Sequence, residues 1–170
     1  GVIEFIRAER GGDPILEADK TIGIDAPWGT ISLEPGGQVE WSSRPATSLG
    51  ELQDALEIHL HLMRRTEREL GVRWLDVAVD PELPVEEMPW MPKARYNIMR
   101  PFLGSRGRLA HRMMTQTASI QCSYDFEDPS DWSRKFRAAA LLAPVAVAIT
   151  LAEVPDGCGA SSGPTRIRPT

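Results

Sequence analysis

Pro35-Gly36-Gly37 lies between two short alternating segments, Thr30 to Glu34 and Gln38 to Ser42, and makes the chain reverse direction there. Proline presets its φ and glycine accepts backbone conformations closed to other residues, so a tight turn between two strands is the expected outcome. Side chains alternate along a pleated strand, which puts Ser32 and Glu34 on one face of the incoming strand and Gln38 and Glu40 on one face of the outgoing strand. The register decides whether those faces coincide. A three-residue loop, Pro35 to Gly37, sets Glu34 opposite Gln38 and turns Glu34, Gln38 and Glu40 to the same side. A two-residue Gly36-Gly37 loop would put the two glutamates on opposite sides. The three-residue register is expected, and with it two carboxylates and an amide gather around a turn that can hold metal-binding groups.

The 170 residues, 42% of them hydrophobic, suffice for one domain with a real core. A net charge of -5 with scattered lysines and arginines argues against a nucleic-acid surface, yet leaves room for small anionic ligands that need only local positive charge. Cys122 and Cys158 are too few for a disulfide scaffold and lack metal-ligand spacing. Neither a leader-like start nor a bilayer-length apolar run is visible, so a cytoplasmic location is expected.

Around the hairpin the chain reads as α+β. Gly1 to Arg10 predicts a short amphipathic helix stopped by Gly11-Gly12, and Ile15-Leu16-Glu17 and Thr21 to Ile24 predict strands of the same small antiparallel sheet. Ser48-Leu49-Gly50-Glu51 has capping-box spacing. It opens a helix with the stripe Leu52, Leu56, Leu60, Met63 and Leu70, ending at Gly71 and expected to cover the sheet. His59 and His61, two apart on that helix, cannot share a metal in a regular helix and read as surface or boundary residues. Val72 to Val79 reads as a strand, and Asp80 to Pro92, with four prolines, as a long irregular loop of the kind that carries function. Lys93, Arg95 and Arg100 follow near a helix start: Arg95 could clamp a carboxylate and Lys93 a phosphate, with solvated surface charge as the competing reading. Thr115 to Asp125 alternates like a strand, Asp128-Pro129 starts a helix that Pro144 bends or breaks, and the Gly-, Ser- and Pro-rich tail from Gly157 reads as poorly ordered.

Several of these segments occur together elsewhere. Ile31 to Gln38, Met91-Pro92-Lys93-Ala94-Arg95-Tyr96 with Met99, Met113-Met114, Thr117 to Gln121, Asp125-Phe126 and Arg134-Lys135-Phe136-Arg137 stand in the order found in the plant and bacterial type of glutamate–cysteine ligase. The chain resembles that family from about residue 13 to about residue 151. The resemblance implies a partial catalytic domain over 1–151, part of a curved, helix-covered antiparallel sheet like that of glutamine synthetase, with a divergent tail over 152–170. It also implies ATP-dependent joining of the glutamate γ-carboxylate to the amine of cysteine through a γ-glutamyl phosphate, the first step towards glutathione or a related thiol. Two anions must approach each other in such a reaction, which calls for Mg2+ held by carboxylates and for basic residues that take up the remaining charge.

Carried over by position, Glu34 and Glu40 are the expected metal or polarising carboxylates, oriented by Gln38, with Asp125 as a further acid. Arg95, with Tyr96, resembles the grip on an amino-acid carboxylate; Met114 and Gln121 would line the glutamate pocket, and Lys93 would serve the nucleotide phosphates. The chain also departs from the family. No strand of the form G-x-E-x-E-K-F precedes Gly1, Glu153-Val154-Pro155 replaces Asn-Ser-Pro, and Arg166 and Arg168 are imperfect stand-ins for a substrate-contacting arginine. Cys122, where the family has a small apolar residue, is expected to be buried packing. These departures predict a piece of a longer enzyme with little ligase turnover by itself. A non-catalytic remnant, and a ligase using a different amine, are the alternatives.

Overall fold

The computed structural model describes residues 1–75, 77–80 and 82–150, which fall into two compact units, the first ending at Thr117 and the second beginning at Ala118. The first unit opens with helix α1 (Val2–Arg10), which buries Val2, Ile3 and Ile6 and is closed by Gly11 at φ 69°. Four strands follow, β1 (Asp13–Glu17), β2 (Lys20–Ala26), β3 (Gly29–Leu33) and β4 (Val39–Ser43), paired antiparallel in chain order as an open sheet. Ile24, Ala26 and Ile31 bury one face of this sheet against α1 and against helix α2 (Leu49–Leu70), with Leu33, Val39 and Trp41 packed beside them.

Helix α2 starts where the capping box predicts: the Ser48 hydroxyl accepts from the Glu51 N–H at 3.2 Å, and Glu51 reaches back to the Thr47 N–H at 2.8 Å. It ends at Gly71 in the left-handed conformation, φ 64°. The face it turns to the sheet differs from the expected stripe. Leu62 and Thr66 are buried and His59 half-buried, whereas Leu52, Leu56 and Leu60 are exposed. The predicted stripe followed the leucines; the packed one follows spacings of three and four through Ala55, His59, Leu62 and Thr66, where smaller and flat side chains let the helix sit close to Trp41 and Trp74.

Two expected strands do not form. Residues 72–78 carry no strand among those described, and Val79 makes only an isolated bridge to Thr117. Thr115 and Gln116 end a helix, α4 (Ala110–Gln116), in which the Thr115 hydroxyl donates to the carbonyl of His111 at 2.9 Å. A threonine that can bond back to the preceding turn tolerates helix despite its branched Cβ, and this overrides the alternation. Residues 118–127 have no regular structure, and Cys122, expected to be buried in a strand, is exposed. Between these elements lie a 3-10 turn (Val85–Glu87) and helix α3 (Ala94–Arg106). In the second unit α5 (Pro129–Thr150) begins at Asp128, which accepts from the Asp131 N–H at 2.8 Å, and runs through Pro144 rather than breaking there. The tail and both of its arginines lie outside the described residues, as does Asp76 within the expected strand.

Candidate functional site

The hairpin adopts the three-residue register. Leu33 pairs with Val39 and Ser32 with Glu40, and the Glu34 N–H donates to the Gln38 carbonyl at 2.8 Å, so Pro35 to Gly37 form the loop. Ile31, Leu33, Val39 and Trp41 occupy the core side, which leaves Ser32, Glu34, Gln38 and Glu40 together on the other face. The Ser32 hydroxyl donates to Glu34 at 3.1 Å, as only side chains on one face can.

Two segments close over this face. The Met91 N–H donates to the Pro35 carbonyl at 2.8 Å, and Glu17 accepts the Ala94 N–H at 2.6 Å, which fixes the start of α3 between β1 and the hairpin tip. Lys93 and Arg95 are thereby brought to Glu34, at 3.5 and 3.7 Å. The two cations differ in kind. Lys93 is buried, 8% exposed, and committed to Glu34 and to the ring of Tyr96; the Arg95 side chain is 57% exposed and free to turn to a ligand. Arg95 also donates to the Tyr96 hydroxyl at 3.0 Å, and that bond keeps its guanidinium more firmly charged than usual. Burial raises the Tyr96 phenol above its ordinary pKa, and the charges of Glu34 and Glu40 add to the effect.

Gln38 does something other than orient carboxylates. Its amide oxygen accepts the Gly36 N–H at 2.8 Å, and its nitrogen donates to the carbonyls of Met114 at 3.2 Å and Thr117 at 2.9 Å. Both its N–H donors and its amide oxygen are used to tie the turn to the end of α4, whose last carbonyls have no partner within the helix. Met114 is buried at that junction. Gln121 and Asp125 belong to the second unit, where Gln121 donates to Ser119 at 3.2 Å and Asp125 accepts the Phe126 N–H at 2.8 Å. Among the described residues no three His, Cys, Asp or Glu side chains are grouped to hold a metal ion, and Glu34 already answers two cations. Magnesium held by Glu34 and Glu40 would need further oxygen ligands, since that ion requires a nearly complete octahedron of oxygens.

Of the two histidines read as surface or boundary residues, His61 is exposed and His59 is half-buried, stacked on Trp41 with centroids 4.5 Å apart and planes 10° from parallel. Its place three before Leu62 and four after Ala55 puts it on the packed face of α2.

Against known proteins, the residue pattern of glutamate-cysteine ligase family 2 matches residues 14–152. The chain belongs to that family. Relatives in this family include the chloroplastic glutamate–cysteine ligases of Arabidopsis thaliana and Brassica juncea, each 37% identical over 81% of the chain, and glutamate–cysteine ligase A of Oryza sativa subsp. japonica at 36%. The chain spans between 26% and 28% of the length of these relatives. Their chloroplastic designation overturns the expectation of a cytoplasmic location. Charge and hydropathy cannot separate two aqueous compartments, which is why the composition misled. No helix among the described residues is long and apolar enough to cross a membrane.

Proposed function

We propose that this family member contributes part of the active site of a glutamate–cysteine ligase, within a larger sheet of the glutamine-synthetase kind. In the proposed reaction ATP transfers its γ-phosphoryl group to the glutamate γ-carboxylate, giving ADP and γ-glutamyl phosphate. The amine of cysteine then attacks the acyl carbon, the C–O bond to phosphate breaks, and the amine's surplus proton leaves with the departing phosphate or to water. The product, γ-glutamylcysteine, stands one step from glutathione-type thiols.

The observation that carries this reading is Arg95, whose guanidinium sits over the Tyr96 ring at 5.0 Å beside Glu34 yet remains largely exposed. An exposed ion pair of this kind contributes little to folding and is readily exchanged for a better partner. A substrate carboxylate is such a partner, because it can accept two parallel N–H bonds. Lys93, being buried, holds Glu34 in position and supplies positive potential near the phosphoryl group. Among the described residues Glu40 is a carboxylate of this face without a cation partner. Magnesium would need oxygen ligands beyond Glu34 and Glu40, so the contribution of these residues is the cationic grip on the substrate. The same shortage of acids favours a second reading, in which the isolated chain binds substrate without turning it over.

Thermal unfolding with L-glutamate and magnesium-ATP tests the reading. At ten times Kd the ligand should add about 1.4 kcal/mol, a rise in Tm of about 3–6 °C, and Arg95→Ala should abolish it. Wild type that ignores these ligands, or a variant that responds as strongly, would refute the proposal.

A further inference from the structure

Helix α2 carries a second apolar stripe beside the one that packs on the sheet. Leu49, Leu52, Leu56, Leu60, Met63 and Leu70 recur at spacings of three, four and seven along its 22 residues, the pattern of a helix that pairs with another helix. Met63 is half-buried, but the five leucines are between 38% and 85% exposed. Monomer surfaces rarely leave so continuous an apolar strip open to water. The stripe also faces away from α1: Arg65, on the opposite side of the helix, is ion-paired to Glu9, while His59 and Leu62 turn to the sheet.

Charge along the open border of this stripe identifies what it fits. Gln53, Glu57, Arg64 and Arg68, all exposed, flank the leucines on the side away from the sheet. Glu57 accepts from the Gln53 amide at 3.0 Å, and among the described residues Glu57, Arg64 and Arg68 have no ion-pair partner. The acid lies in the first half of the border and both arginines in the second, so the helix is complementary to a copy of itself running the opposite way. A twofold axis near Leu60 sets Leu49 beside the partner's Leu70, Leu56 beside the partner's Met63 and Glu57 opposite the partner's Arg64. A parallel pair would instead set Glu57 against Glu57 and Arg64 against Arg64, which like charges oppose.

We propose that α2 is the interface of a homodimer in which two copies of the chain pair antiparallel about that axis. A helix of 22 residues is about 33 Å long, and the two stripes together approach the roughly 1,000 Å² that a specific contact needs. The contact lies on the helix-covered side of the sheet, so the polar face with Glu34 and Arg95 stays open in both copies.

Sedimentation equilibrium on the 170-residue chain tests the proposal. The wild-type chain should approach the mass of two copies as its concentration rises from the micromolar towards the millimolar range. Leu56→Gln, a change at a side chain exposed in the single chain, should return it to the mass of one copy with unchanged far-ultraviolet circular dichroism. Glu57→Arg and Arg64→Glu should each weaken dimerisation about tenfold, because each sets like charges together at two symmetry-related places. The double variant reverses both signs and should recover to within about threefold of wild type, a rescue that requires Glu57 to meet Arg64 across copies. A chain that stays monomeric throughout would leave the stripe to some other partner and overturn the proposal. A dimer indifferent to Leu56→Gln, or one that the double charge variant fails to restore, would overturn it as well.

Discussion

At the scale of single residues, alternation predicted more than chemistry did. The common face of Glu34 and Glu40 followed from register alone, and Lys93 and Arg95 were singled out by type before the structure brought them to Glu34. What type and spacing could not tell was the state of each group. Gln38, expected beside the carboxylates, spends both its donors and its oxygen on backbone partners, and Lys93, expected at a phosphate, is buried in an ion pair. His59 is the clearest case. Burial against Trp41, with the positive charge of Arg10 nearby, lowers its pKa to about 4. The unfolded chain binds a proton near the ordinary 6.5 and the folded one resists it. Stability from this group is therefore whole above about pH 6.5 and declines as pH falls towards 4. We expect a loss of about 1–2 kcal/mol between pH 7 and pH 5, discounted for the ring's partial exposure, and its disappearance in His59→Phe, measured by urea denaturation. The carboxylates whose pKa is lowered, Asp25, Glu51 and Asp131, act below that window, so an unchanged slope in the variant would contradict the assignment.

At the scale of elements, those whose signals are local were legible. The helix stop at Gly11, the capping box at Ser48, the left-handed Gly71 and the hairpin turn each depend on a few adjacent residues, and all four appear where expected. Elements that need a distant partner were not. A strand over 72–79 required a neighbour, and the segment from Thr115, itself expected as a strand, instead ends a helix whose carbonyls Gln38 captures. That capture is close enough to test. A Cβ on Gly36 would come 2.8 Å from the Thr115 carbonyl carbon, backbone that cannot swing aside. Gly36→Ala should therefore cost about 1–3 kcal/mol and speed amide exchange through α4. At Gly50, where an added Cβ meets only the Ser48 hydroxyl at 3.9 Å, the same substitution should be harmless or mildly stabilising, because alanine favours helix. Equal effects at both sites in thermal unfolding would remove the hairpin tip from its role as the clamp.

At the scale of the molecule, the described residues divide at Thr117, and the segment that follows, 118–127, has no regular structure, with Tyr124 75% and Phe126 52% exposed. Exposed backbone outside ladders and helices is where proteases cut first. Brief chymotrypsin treatment should cleave after Tyr124 or Phe126 before any site in the sheet, and first cuts within β2 or β3 would mean that the sheet opens more easily than this segment. The sequence determined the α+β character, the turn and its register, and the motifs by which the family is known, because each is written in neighbours a few positions apart. Only the tertiary structure decided which of the grouped polar residues are free. The folding of α3 and α4 onto one hairpin spends Gln38 and Lys93 on holding the chain together and leaves Arg95, Arg100 and Glu40 open, an outcome set by distances across 50 to 80 positions that no local pattern encodes.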